Sequence, residues 1–179
     1  MSIRFAAALA FAAVVWAQAP TSGYRAEFLA EAAGFEKKFV SLAEQTPAEK
    51  YAWRPGEGVR SVGEVFLHVS GANFNLTRLI GAPPPTGFQG KGYEQSITDK
   101  AKIVEQVKQS FAHLQKAVLS LSEADAEKAV KVLGRDSTNR GALLFIARHL
   151  AEHLGQSIAY ARVNGITPPW TEEFQRRTR

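Results

Sequence analysis

Four stretches of apolar residues at helical spacing, separated by segments rich in proline and glycine, restrict this 179-residue chain to a mainly helical fold. The first stretch spans about 23–45, where aromatic and aliphatic residues share one face and charged residues occupy the other. Pro47 and the sequence Trp53-Arg54-Pro55-Gly56-Glu57-Gly58 follow it. Because proline and glycine interrupt helices, this segment predicts a loop.

The second stretch begins with a capping signal. Ser61 and Glu64 have the spacing of a capping box, in which each side chain binds the backbone of the other residue. This predicts a helix from Ser61 to about Ile80. The glycine and three prolines that come next stop the helix, and a polar, glycine-rich loop extends to about Ile97.

Two further helices are predicted in the second half of the chain. The third begins at Thr98 or Asp99, either of which suits an N-cap, and runs to about Leu121. The fourth runs from about Thr138 to Asn164, after which glycine and proline prevent its continuation.

No segment between these helices shows a convincing strand pattern, and residues 134–139 carry little secondary-structure signal. Long amphipathic helices without strands indicate an all-α fold, and we expect an antiparallel four-helix bundle. We assign it to residues 20–171, followed by a basic tail over 172–179. Any binding pocket in such a fold is expected between facing helices.

The chain begins with the pattern of a secretory signal peptide. A short positive segment ending at Arg4 precedes an apolar run from Phe5 to Trp16 that is too short to cross a bilayer. We expect residues 1–17 to be removed after Ala17, because cleavage after Ala19 would leave proline at the first position. The predicted location is therefore secreted or periplasmic, with an uncleaved anchor as the alternative and no integral membrane segment after cleavage.

Composition excludes several functions. The chain has no cysteine, so disulfides, thiolate metal sites and cysteine nucleophiles are ruled out. The formal net charge is +5, and the basic residues are scattered apart from the tail. Nucleic-acid binding requires a denser basic stripe, so we expect no nucleic-acid partner.

Histidines carry the functional signal. His149 and His153 lie four residues apart, which places both imidazoles on one face of the fourth helix. That face borders the predicted core, and His68 lies at a core border on the second helix. Three such imidazoles can share one metal ion and leave positions for water or substrate. His113 falls away from the apolar stripe of the third helix, so we expect it at the surface.

The histidines do not fit two known metal-site motifs. The segment from His149 to His153 matches the H-x-x-E-H pattern of inverted zinc peptidases, but no suitable glutamate ligand follows on another helix. Ferritin-like di-iron sites need Glu-x-x-His motifs, and none occurs in this chain. Both interpretations are therefore disfavoured.

Taken in order, the motifs resemble the DinB-like (damage-inducible) superfamily of metal-binding four-helix bundles. They comprise the Trp53–Gly58 loop, the Ser61–His68 helix start, the segment His149–Gln156, and the helix end at Tyr160–Pro169. The resemblance implies an up-up-down-down-type bundle, frequently a homodimer. It also implies one divalent metal ion bound by three histidines, which are His68, His149 and His153 in this sequence. We expect zinc or nickel, with iron or copper as alternatives.

Three polar residues lie near the histidines in the predicted helices. The favoured role of Glu152 is a surface carboxylate or a salt bridge to Arg148, and the alternative is a hydrogen bond that supports a metal ligand. Gln156 and Asn75 suit either the orientation of a metal-bound water or packing between helices.

The sequence leaves three functional hypotheses open. The superfamily contains thiol-dependent S-transferases and isomerases, so an enzyme that presents a metal-activated water or thiol to a small-molecule substrate is one hypothesis. Another is a non-catalytic metal- or ligand-binding bundle that uses the metal as a structural staple or a sensor. Between these two we slightly favour a metal-binding protein to which the sequence assigns no reaction. A third is an interaction protein that uses the loops Trp53–Arg60 and Pro83–Lys91.

Overall fold

The computed structural model describes residues 20–171, so the predicted signal peptide and the basic tail lie outside the described residues. Four long helices dominate this part of the chain, as expected from the sequence. They are α1 (Gly23–Gln45), α2 (Val62–Leu76), α3 (Lys100–Leu119) and α4 (Asn139–Val163).

The predicted helix caps are present. The Ser61 hydroxyl accepts from the backbone of Glu64, and the Glu64 carboxylate accepts from the backbone of Ser61. Asp99 caps α3 and Thr138 caps α4 through their side chains. Gly165 has a φ of +73°, the left-handed conformation expected just beyond the end of α4.

α1 and α3 run antiparallel. The Tyr24 hydroxyl near the start of α1 donates to the carbonyl of Ser122, just beyond the end of α3. At the other end, the ammonium group of Lys100 donates to the carbonyl of Glu44. Each helix of the bundle packs on two others: α1 contacts α3 and α4, and α2 contacts the same two.

α2 and α3 run parallel. Asn73 donates to the hydroxyl of Ser110, and one turn further along both helices Thr77 is hydrogen-bonded to His113. The connection between the two helices is long enough to return along the side of α2, which its short 3-10 helix Tyr93–Gln95 contacts.

α2 and α4 run antiparallel, since Val62 at the start of α2 and Ala161 near the end of α4 line the same small cavity. In chain order the bundle is therefore up-down-down-up, and the up-up-down-down order implied by the resemblance is wrong. The physical reason is the return of the α2–α3 connection along the bundle. The all-α bundle with antiparallel helix pairs is confirmed.

The sequence did not predict one element, a short β-hairpin. Strands β1 (Ala129–Val132) and β2 (Arg135–Thr138) form a two-stranded antiparallel hairpin where we expected a loop. Leu133 and Gly134 connect them, and both have positive φ, as a type I′ turn requires. The hairpin leads directly into α4.

The core lies between the four helices and contains both aromatic and aliphatic side chains. Phe39 and Phe111 approach to 6.0 Å between ring centroids, and Tyr51 packs on Phe66 at 5.8 Å. The largest fully buried side chains come from all four helices; they include Phe39, Phe66, Leu67, Phe111, Leu114, Ile146 and Leu150. Leu67 and Leu150 are immediate neighbours of candidate metal ligands, so core packing fixes the backbone that carries those ligands.

Within residues 20–171, no helix combines the length and apolar character that are needed to cross a bilayer.

Candidate metal site

The structure brings His68, His149 and His153 together between α2 and α4. One ring nitrogen from each lies within 4.8 Å of the others, and all three side chains are partly buried. Ring centroids are 5.1 Å apart for His68 and His149, and 4.4 Å apart for His68 and His153. The antiparallel packing of α2 on α4 places the single histidine opposite the pair, as the sequence predicted.

The spacing of the ring nitrogens fits one metal ion. Nε2 of His68 and Nε2 of His149 are 3.1 Å apart. Imidazole nitrogens bound to one zinc ion at 2.0–2.1 Å lie about 2.8–3.4 Å apart in octahedral or tetrahedral geometry. The observed distance falls within this interval, so the two Nε2 atoms are spaced as two ligands of a shared ion would be.

Glu94 fixes the orientation of His68. One carboxylate oxygen lies 2.6 Å from Nδ1 of His68, and both oxygens accept from the guanidinium group of Arg60, at 2.6 and 3.1 Å. Burial opposes ionisation of Glu94, but the hydrogen bonds from Arg60 and His68 together keep its pKa below the usual value. An ionised carboxylate only accepts hydrogen bonds. Nδ1 of His68 therefore carries the proton, and its Nε2 lone pair is free for a metal.

Sequence reasoning missed Glu94. It lies in the loop between α2 and α3, where no periodicity predicts which side chains face the bundle. The only available signal was a carboxylate beside Tyr93 in an otherwise glycine-rich, polar segment.

His153 is oriented by its own helix. Its Nδ1 lies 2.8 Å from the amide oxygen of Gln156, whose nitrogen donates to the hydroxyl of Tyr160 at 3.0 Å. Trp53 packs edge-on against Tyr160, with 5.3 Å between ring centroids. Because an amide oxygen accepts, Nδ1 of His153 donates and Nε2 remains available. Gln156 therefore orients the histidine itself.

His149 has a strongly lowered pKa. Burial, reinforced by the neighbouring His153 and His68, lowers its pKa to about 4. Burial also lowers the pKa of His68, although Glu94 opposes that shift. Both imidazoles are therefore neutral near pH 7, which is the form that binds metals. Nδ1 of His149 is buried and has no hydrogen-bond partner within the described part of the chain.

A pocket of about 370 Å³ opens beside the histidines. His68 and His149 form part of its wall, together with Glu94. Most of the remaining wall is apolar or aromatic and includes Leu67, Ala72, Leu76, Phe88, Tyr93 and Phe145. The site is therefore open to a small molecule on one side.

The model of the DinB superfamily matches residues 34–157 of this chain. The chain belongs to the DinB superfamily. The matched segment contains all three histidines and most of the four helices of the DinB bundle. No curated protein sequence matches the chain.

Solved structures of DinB-like proteins share the fold. One from Bacillus cereus ATCC 10987 is 17% identical, covers 79% of this chain and 93% of its own, and has a TM-score of 0.70. One from Bacillus subtilis is 19% identical, covers 79% of this chain and 93% of its own, and has a TM-score of 0.62. A third, assigned to the DinB family, comes from Exiguobacterium sibiricum 255-15. It is 20% identical, covers 82% of this chain and 95% of its own, and has a TM-score of 0.62. These identities support the fold alone.

The remaining histidine of the DinB bundle does not join the site. His113 on α3 is hydrogen-bonded to the Thr77 hydroxyl at 3.0 Å and packs edge-on against Phe74, 5.6 Å away. Burial lowers its pKa. We expected His113 at the surface, but its side chain is half-buried between α2 and α3.

Glu152 and Asn75, the other two polar residues considered near the histidines, both make polar contacts. Glu152 forms the predicted exposed salt bridge with Arg148, at 3.5 Å. Asn75 lines the pocket, where its amide oxygen accepts a hydrogen bond from Arg78.

Proposed function

We propose that His68, His149 and His153 bind one divalent transition metal ion, with zinc or nickel favoured and iron or copper as alternatives. The observation that carries the proposal is the convergence of two Nε2 atoms at 3.1 Å while Glu94 occupies the other nitrogen of His68. Neutral imidazoles without thiolate partners suit these metals.

The surrounding residues support an open rather than a closed site. Within residues 20–171, these three histidines are the only group of three or more candidate ligand side chains with ligand atoms close enough to share an ion. The adjoining pocket leaves room for water or substrate. A structural metal site is normally closed by a fourth protein ligand, so this arrangement favours a ligand-binding or catalytic role.

The second candidate function is an enzyme of the hydrolase or thiol S-transferase type, and the pocket beside His68 and His149 favours it. A metal ion in such a site lowers the pKa of a bound water or thiol and so supplies a nucleophile near neutral pH. The protein's own contribution is to orient His68 through Glu94 and His153 through Gln156. The apolar pocket wall then limits the access of bulk water to a bound electrophile.

Elemental analysis tests the metal proposal. The protein is incubated with zinc, freed of excess ion by gel filtration, and compared with His149→Ala. We expect about one zinc ion per chain in the wild type and strong depletion in the variant. Leu144→Ala is the matched control, because Leu144 lies on the same helix with 68% of its surface exposed. Equal zinc content in the wild type and His149→Ala would contradict the proposal.

Turnover separates the two candidate functions. A panel of activated esters and alkylating electrophiles is incubated with the zinc-loaded protein, with and without a low-molecular-weight thiol. Metal-dependent turnover that His149→Ala abolishes supports the enzyme. Zinc binding without turnover of any panel member supports the metal-binding protein without catalysis.

Export and dimerisation complete the proposal. The apolar segment Phe5–Trp16 supports export to a secreted or periplasmic location, and a mature protein starting at Gln18 in a mass spectrum is the expected outcome. The resemblance to DinB-like proteins supports a homodimer, which light scattering after gel filtration detects as the mass of two chains. A single-chain mass contradicts the dimer and leaves the metal proposal unaffected.

A further inference from the structure

The pocket beside the histidines has two aromatic walls. Phe145 on α4 forms one wall, and the guanidinium group of Arg148 lies 5.2 Å from the centroid of its ring. Phe88 and Tyr93 from the α2–α3 connection form the other and pack on each other at 5.1 Å. His68 and His149 line the same pocket, so any occupant would approach the candidate metal ligands.

The connection is anchored where it forms this wall. A Cβ atom at Gly71 would lie only 2.9 Å from the ring of Tyr93, so this ring packs directly on the α2 backbone. Phe88 packs in turn on the buried ring of Phe74, at 5.3 Å. The wall is therefore built from well-packed side chains, which favours a pocket that is largely formed before a ligand binds.

The side chains that line the pocket do not favour a charged group in the part of a ligand that enters it. No lysine or arginine lines it among the residues that the structure describes, and Glu94 is its one carboxylate. Both oxygens of Glu94 are already occupied by Arg60 and His68. The lining side chains offer a bound anion no cationic partner, since Arg60 is paired with Glu94 and Arg148 stacks on the Phe145 ring without lining the pocket. A bound cation would compete with the hydrogen bonds of Glu94.

The geometry points to a ligand class. We infer that this pocket binds an uncharged aromatic or similarly bulky apolar group of a small molecule, whose polar group then faces His68 and His149. The inference rests on the proposed metal function, because the polar end of the ligand is placed at the metal site. It adds that recognition comes from Phe145 and Phe88 rather than from ion pairing.

A pair of hydroxamates tests the inference. Acetohydroxamate and benzohydroxamate have the same metal-binding group and differ in a methyl or a phenyl substituent. Calorimetric titration of each into the zinc-loaded protein measures the contribution of the pocket separately from that of the metal. We expect benzohydroxamate to bind at least about tenfold more tightly, because the phenyl group removes apolar surface from water.

Variants localise the effect. Phe145→Ala is expected to reduce the benzohydroxamate preference to about twofold, and Leu144→Ala, on the exposed side of the same helix, is expected to retain it. Phe88→Ala provides a second test from the opposite wall if the α4 variant unfolds. Acetohydroxamate affinity should be similar in all variants.

The outcomes separate this inference from the metal proposal. Equal affinities for the two hydroxamates, or a preference that survives both Phe145→Ala and Phe88→Ala, would overturn the pocket inference while the metal site stands. Zinc-loaded protein that binds neither hydroxamate would likewise overturn the pocket inference alone, whereas equal zinc content in the wild type and His149→Ala would overturn the metal proposal and the pocket inference with it.

Discussion

Glu94 is predicted to strengthen metal binding without contacting the metal. Its carboxylate accepts from Nδ1 of His68 at 2.6 Å and from two nitrogens of Arg60. The substitution Glu94→Gln keeps the size of the side chain but replaces one acceptor oxygen with a donor. In either orientation of the amide, its NH₂ group must face a donor of Arg60 or His68. The variant therefore loses both the negative charge and at least one hydrogen bond.

The expected magnitude follows from this loss. Removing a carboxylate that orients a metal-binding histidine typically weakens metal affinity by about 10- to 100-fold, or about 1.4–2.7 kcal/mol. Competition with a chromophoric zinc chelator measures the affinity of the wild type and the variant. The imidazole ¹⁵N shifts of His68 provide an independent readout, because the proton on Nδ1 is expected to become less well defined.

A matched control uses the same chemical change at another glutamate. Glu152 lies between the two histidines of α4 in sequence, but its carboxylate contacts only the exposed Arg148, at 3.5 Å. Glu152→Gln is expected to change zinc affinity by less than about twofold, because exposed ion pairs contribute little. If Glu94→Gln and Glu152→Gln weaken zinc binding equally, the reasoning about His68 is refuted.

Three other predictions concern stability and selectivity. The pKa of His149 is lowered to about 4 in the folded protein. Between about pH 6.5 and 4 the unfolded state therefore binds more protons than the folded state. The metal-free protein is expected to lose stability as the pH falls through this window. Urea denaturation at pH 7 and pH 5 measures this loss, which His149→Gln should reduce; an unchanged pH dependence in that variant contradicts the assignment. His113→Ala is expected to leave zinc affinity unchanged and to destabilise the fold by about 1 kcal/mol through loss of the hydrogen bond to Thr77; weaker zinc binding would show that His113 joins the site. Ser61→Ala removes the cap of α2 and is expected to cost about 0.5–2 kcal/mol in thermal or urea unfolding, and no measurable cost would contradict the role of the capping box.

The helices were predictable because their signals are local. Ser61, Asp99 and Thr138 cap the helices where the sequence placed them, and glycine and proline mark the ends. The hairpin lacked such a signal, because β2 reads Arg-Asp-Ser-Thr and shows no apolar alternation. The direction of α3 relative to α2 depends on the path of a long loop, which no periodicity in the sequence encodes.

The candidate site was predictable to the same extent. Helical spacing places His149 and His153 on one face, and the antiparallel packing of α2 brings His68 to them. Glu94 could not be found in this way, because its position depends on how the α2–α3 connection folds back against Gly71. Local periodicity thus identified the candidate ligands, and the tertiary structure identified the residue that orients one of them.

X-ray absorption spectroscopy at the zinc edge tests the central claim most directly, since it reports which atoms bind the ion. The account predicts three imidazole nitrogens at about 2.0–2.1 Å with the remaining positions filled by oxygen. His149→Ala should lower the imidazole count or abolish binding. A spectrum with an all-oxygen shell, or one that is identical in the wild type and His149→Ala, would contradict the three-histidine site.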